Sequence, residues 1–207
     1  MKGLRYMIWM TAVILTASFI SCSEVKEAGE YDNWRERNEA YVDSLLQAAG
    51  PNLFSEASDT AKIDEMELGK LFGIQTRTST TETKQYVFCK KLTATDGRHP
   101  LFTDYVSAFY RGSYMTGRVF DGNFEGYVAT DGHYYGDEKL PQVYDTPATF
   151  QVSGLVVGWI TALQYMREGE RWILYVPYQS GYGTTTTGGV LGYSTLFFDL
   201  ILNNVVK

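Results

Sequence analysis

Cysteine and histidine are nearly absent from this chain, and with them go most routes to metal or nucleophilic chemistry. Its 207 residues hold two cysteines, Cys22 and Cys89, and two histidines, His99 and His133. Neither histidine has a cysteine, a carboxylate or another histidine at ligand spacing, so no metal site is expected. The sequence also lacks a P-loop, a GxSxG, an HExxH and a GxGxxG following a strand. Gly188-Gly189 lies in a threonine-rich loop between strands, where a phosphate would find no helix N-terminus. No cofactor is expected. Basic clusters are missing too. The formal net charge is −6, and an acidic chain without a cationic patch argues against a nucleic-acid partner.

Long hydrophobic runs are confined to the start. Lys2 and Arg5 precede an uncharged, mostly apolar stretch from Tyr6 to Ile20, which is short for a membrane span and within the range of a signal-peptide core. It ends at Phe19-Ile20-Ser21-Cys22. This resembles a bacterial lipobox, with Phe19 in place of the usual leucine. It implies a lipoprotein signal over 1–22 and acylation of Cys22, with the membrane as a partner through that anchor. The location implied is the bacterial cell envelope, with the periplasmic and outward faces both open. The alternatives are an ordinary cleaved signal and an uncleaved anchor helix. Removal of 1–21 takes away Lys2 and Arg5 and no acid, leaving 16 basic against 24 acidic residues, or −8. Cys89 then has no free partner and reads as a small buried hydrophobe in a strand.

What the chain has in quantity is aromatic: 15% of residues, with 16 tyrosines. Such residues suit both strands and binding grooves. Residues 23–84 read as a tether, an amphipathic helix and a connector. The helix spans Tyr31 to Ala49, with Trp34, Tyr41, Val42, Leu45 and Ala49 on one side and Arg35, Glu36, Arg37 and Glu39 opposite; Gly50-Pro51 stops it. A partner or oligomer face and a face packed on its own domain are both open. Asn52 to Lys84 reads as loose, with one helical turn near Asp64 to Leu71.

From Gln85 the pattern turns to β. Strands are expected over Tyr86–Leu92, Tyr105–Tyr110 (ended by Arg111-Gly112), Arg118–Asp121, Ala148–Val152 and Ser194–Val206. Gly122 to Tyr144 is long for a connection inside a compact domain. Between the last two strands runs VVGWITALQYMREGERWILYVP, Val156 to Pro177. It reads as a short helix with Trp159, Ala162, Leu163 and Met166 on one face, a charged turn, and a strand from Trp172 to Val176. The fold class is α+β: an antiparallel half-barrel wrapped around one short helix, preceded by an N-terminal helical extension.

Seven short motifs then appear in order: Tyr110-Arg111-Gly112; Gly117 with Phe120-Asp121; Phe150-Gln151-Val152; Leu155-Val156-Val157-Gly158-Trp159; Met166 with Gly169-Glu170; Pro177 with Gly181-Tyr182-Gly183; and Thr195-Leu196-Phe197-Phe198-Asp199. Together they resemble the FKBP-type peptidyl-prolyl cis-trans isomerases over 85–207, with an insertion at about 122–146. The resemblance implies a pocket with Trp159 as its floor and Tyr110, Phe120, Asp121 and Phe198 as its wall. It implies that Tyr182 contacts a bound carbonyl, that Leu155 and Val156 line the mouth, and that Val190 and Leu191 form an apolar loop tip beside it. Proline-containing polypeptides would be the substrates, without metal or acid–base chemistry; a non-catalytic chaperone or binding module is the alternative. Ala148 departs from the aromatic often found there, Gly181 from an alanine. The insertion is expected beside the pocket, where it could extend or cover the groove.

Overall fold

The computed structural model describes residues 29–55, 59–80, 82–134 and 139–206. The signal segment 1–22 and Cys22 lie outside them. Among the described residues three α-helices occur in this order among eight strands: α1 Trp34–Ala49, β1 Leu53–Phe54, α2 Thr60–Asp64, β2 Leu71–Gln75, β3 Tyr86–Lys91, β4 Tyr105–Tyr114, β5 Val119–Gly122, β6 Ala148–Gln151, α3 Val157–Leu163, β7 Arg171–Val176 and β8 Leu196–Val206. The strands form one sheet in the order β1-β2-β3-β7-β8-β4-β5, with β6 also on β4. All pairings are antiparallel except β1 with β2.

Both sheet faces are covered, which explains why β7 is buried at every position. On the inner face α3 packs Trp159, Ile160, Ala162 and Leu163 against Phe72, Val87, Trp172, Leu174, Leu196, Phe198 and Leu200. Helix and sheet meet closely at Gly158, where a Cβ would lie 2.5 Å from Val176 Cγ1. On the outer face Phe88, Ile173, Tyr175 and Phe197 are buried under Leu45 and Ala49 of α1 and Tyr127 of the insertion. Alternation in β8 therefore carries apolar residues on both sides.

Several expectations need correction. The supposed connector 52–84 contains β1, α2 and β2, and β2 pairs along its whole length with β3. The helical segment is Thr60–Asp64 rather than 64–71. Phe72 and Ile74 alternate with a glycine in LFGIQ, a strand signal too short to stand out. Arg111-Gly112 does not end β4, which runs on to Tyr114 because β8 pairs with it that far. The apolar side of α1 is occupied by its own sheet, so the apolar face that suggested an oligomer is already covered.

A buried ion pair closes the end of the sheet. Lys91 Nζ lies 3.1 Å from Glu170 Oε1 and donates to the Asp64 carbonyl at 3.0 Å. Glu170 Oε2 accepts from the Trp172 indole at 2.8 Å and the Arg167 N–H at 2.9 Å. These bonds compensate the desolvation of both charges.

Candidate active site

The break between β6 and β5 along one edge of β4 makes the site. β6 pairs with Tyr105–Ala108 and β5 with Arg111–Ser113. Between them the Asn123 side chain replaces a strand. Its Oδ1 accepts from the Tyr110 N–H at 2.8 Å, and its Nδ2 donates to the Ala108 carbonyl at 3.0 Å. Tyr110 is thereby fixed on the inner face, at the mouth of a cavity of about 220 Å³.

Trp159, at the start of α3, is 4% exposed and belongs to both core and cavity. Three rings meet it edge to face: Tyr110 at 5.4 Å, Phe150 at 5.8 Å and Phe198 at 5.2 Å between centroids. Phe120 packs on Phe198 at 5.6 Å. Such pairs add stability beyond the area they bury and hold the rings in place. Among the described residues the Trp159 Nε1–H finds no acceptor.

The polar part of the site is small. Tyr110 Oη donates to Asp121 Oδ2 at 2.9 Å, and the Gly122 N–H donates to Asp121 Oδ1 at 2.8 Å. Both carboxylate oxygens are thus oriented. Burial, followed by the bond to Asp121, raises the Tyr110 pKa well above that of an ordinary phenol. Burial and the Asp121 charge raise that of Tyr182 as well. Both side chains remain neutral hydrogen-bonding groups at physiological pH. Tyr182, 40% exposed, stands at the rim.

Eight of the ten expected pocket residues line this cavity: Tyr110, Phe120, Asp121, Leu155, Val156, Trp159, Tyr182 and Phe198. Val190 and Leu191 do not. Val190 is buried in the core and Leu191 packs against it. The turn closed between Thr187 and Val190 folds the tip inward. Phe150 and Gly154 also line the cavity. Phe150 was visible as a motif residue, but nothing in the sequence marked it as facing the site. Asn123 carried no signal, since its role depends on the break in strand pairing.

Beyond Gly122 and Asn123, which brace Asp121 and Tyr110, the described part of the insertion turns to the other face. Its Tyr127 N–H donates to Asp199 Oδ2 at 2.7 Å, and Tyr134 packs on Phe197 at 5.6 Å, both on the outer face. None of its described residues lines the cavity.

A family model described as FKBP-type peptidyl-prolyl cis-trans isomerase matches residues 97–203. The chain belongs to this family. The Macrophage infectivity potentiator of Trypanosoma cruzi is 41% identical over 80 residues, 35% of this chain and 41% of its own. The Outer membrane protein MIP of Legionella longbeachae is 35% identical over 119 residues, 57% of this chain and 43% of its own. The solved structure of FkpA from Escherichia coli aligns over 86% of this chain and 72% of its own, with 24% identity and a TM-score of 0.48. The chain spans less than half the length of these curated relatives. In this FKBP domain six of the seven motifs place at least one residue in one cup. The 97–203 match leaves out α1, β1, α2, β2 and β3, which complete the sheet and its outer layer.

Proposed function

We propose that this protein is a peptidyl-prolyl cis-trans isomerase that assists folding of exported polypeptides at the bacterial cell envelope. The observation that carries the reading is the aromatic cup over Trp159 with the oriented Tyr110–Asp121 pair at its edge. Rotation about an X-Pro bond meets a barrier close to the ~18–20 kcal/mol of amides in general. No bond breaks, so no nucleophile is required. The twisted amide has lost resonance and is less polar than the planar one, so an apolar, water-poor cup favours it. A cup of Tyr110, Phe120, Phe150, Trp159 and Phe198 suits a proline ring. The Tyr182 hydroxyl at the rim could donate to the neighbouring carbonyl as it rotates. Asp121 keeps Tyr110 in place and is not a proton shuttle.

A proline-limited refolding assay tests this on the chain from Ser23 onward. Wild type should accelerate the slow phase. Trp159→Ala should remove most of the acceleration, Tyr182→Phe should reduce it by roughly ten-fold, the scale of one lost transition-state hydrogen bond, and Asp121→Ala should reduce it by freeing Tyr110. No acceleration by wild type would reject the reading.

For location, the segment 1–22 and the relative named as an outer membrane protein support lipid anchoring at Cys22. Labelled palmitate should be incorporated and be lost in Cys22→Ala. An oligomer through 31–49 would have to use the charged side of α1.

One observation favours binding without turnover as a second reading. Residues 142–145 form a turn closed by Asp145 N–H to the Gln142 carbonyl (2.9 Å) and Gln142 N–H to Asp145 Oδ2 (2.7 Å). Its tip is Val143 and Tyr144, 102% and 79% exposed. A rigid apolar tip suits contact with unfolded chains. Suppression of client aggregation that survives Trp159→Ala and is lost in Val143→Ser/Tyr144→Ser would support this reading.

A further inference from the structure

Helix α1 lies outside the matched region yet is bonded to the loop that carries Tyr182. It grips the loop between β7 and β8, which carries Tyr182, at both feet. At the first foot Tyr178 Oη donates to Glu39 Oε1 at 3.3 Å. At the second, the Thr195 N–H donates to Asn38 Oδ1 at 2.6 Å. Asn38 is fully buried, and its Nδ2 donates to the Trp34 carbonyl at 2.7 Å. Trp34 Nε1 donates to Ser194 Oγ at 3.1 Å, and that hydroxyl donates to the Leu191 carbonyl at 2.7 Å. Tyr193 holds a positive φ of 59°, which is costly for a tyrosine, while its ring lies against Tyr178 and under the Arg35 guanidinium.

A second path runs through rings. Trp34 meets Tyr114 edge to face at 5.7 Å. Tyr114 lies 5.3 Å from Phe120, a wall of the cup. The Tyr114 hydroxyl accepts from the Leu191 N–H at 3.1 Å and donates to the Gly189 carbonyl at 3.3 Å. The loop itself, GYGTTTTGGVLG from 181 to 192, is rich in glycine and threonine. It has little intrinsic order, so its tethers decide where it sits. A buried asparagine is costly unless its groups are bonded; Asn38 bonds the loop foot and its own helix.

We propose that α1 is a positioning element of the isomerase site, with Trp34 and Asn38 setting the 178–195 loop and, through Tyr114, the Phe120 wall. The polypeptide flanking the proline must pass this rim, since the cup has room for little beyond the ring. Loss of the tethers should therefore weaken substrate binding more than turnover. The proposal rests on the isomerase reading above.

The test uses the full chain and its Trp34→Ala, Trp34→Phe and Asn38→Ala variants. Steady-state kinetics on short proline peptides give KM and kcat, and amide hydrogen exchange is followed at Leu191 and Thr195. Trp34→Ala and Asn38→Ala should raise KM by roughly ten-fold with kcat changed by less than about two-fold, the signature of lost uniform binding. Exchange at Leu191 and Thr195 should quicken while Cys89 and Leu174, in the central strands, stay protected. Trp34→Phe keeps a ring against Tyr114 and should restore most of the KM. Unchanged exchange at Leu191 and Thr195, or kcat and KM altered only together with loss of protection in the central strands, would overturn the proposal. An inactive wild type would instead reject the isomerase reading, and the exchange data would still decide whether α1 holds the loop.

Discussion

Gly112 lies on β4 two residues beyond Tyr110, with its Cα turned to the cup. A Cβ there would stand 2.7 Å from Phe120 Cζ and 2.9 Å from Phe198 Cε1. Both atoms belong to rings packed on each other and on Trp159 or Tyr114, so neither can retreat cheaply. The glycine of the Tyr110-Arg111-Gly112 motif therefore exists to let two aromatic walls meet. Gly112→Ala is expected to cost about 1–3 kcal/mol, the scale of overpacking in a filled interior. It should also reduce proline-peptide binding, because Phe120 must move. Thermal unfolding and peptide titration check the two parts; a variant with unchanged Tm would show that the walls are softer than the ring contacts imply.

At the scale of elements, residues 127–134 of the insertion form an outer-face layer, and a buried ion pair holds them. Arg171 on β7 donates to Asp199 Oδ1 at 2.8 Å and to Oδ2 at 2.5 Å, while Tyr127 of the insertion donates its N–H to the same Oδ2. The pair is buried, and the Arg171 guanidinium stacks over Tyr127 at 4.7 Å. Asp199→Ala leaves a buried cation behind and should cost about 3–5 kcal/mol. Replacing both partners with apolar residues should recover much of that. Because no described residue of the insertion lines the cup, isomerisation of short peptides by the folded fraction should change little; denaturant curves and peptide kinetics on one preparation separate the two. The sequence revealed the length of this insertion but not its side of the sheet. Asp199 was legible as a motif position, but its partner Arg171 lies on another strand, and Tyr127 looked like one tyrosine among many. The cup was legible because its residues sit in short local motifs. β2 and the buried Asn38 were not, because a five-residue strand and a polar residue on a helix declare themselves only through distant partners.

For the whole molecule the question is where the folding unit begins. The sequence pattern places the start of the domain at Gln85. The sheet continues past that point, since β2 pairs with β3 from Leu71 to Gln75. Phe72, Ile74 and Ile63 fill the inner core, and Leu45 and Ala49 cover the outer one. Phe72 also meets Trp172 edge to face at 5.4 Å. A fragment of 85–207 would lose all of these. Each large side chain contributes about 1.5–3 kcal/mol on burial, so four of them together approach the roughly 5–15 kcal/mol that holds a typical domain folded. The fragment would also expose the edge of β3 to other chains. Chemical denaturation of 29–207 should therefore show one cooperative transition, while 85–207 should aggregate or unfold without one. If 85–207 unfolds cooperatively with a stability within about 1 kcal/mol of the longer chain, β2 and α1 are additions to a finished domain rather than parts of its core.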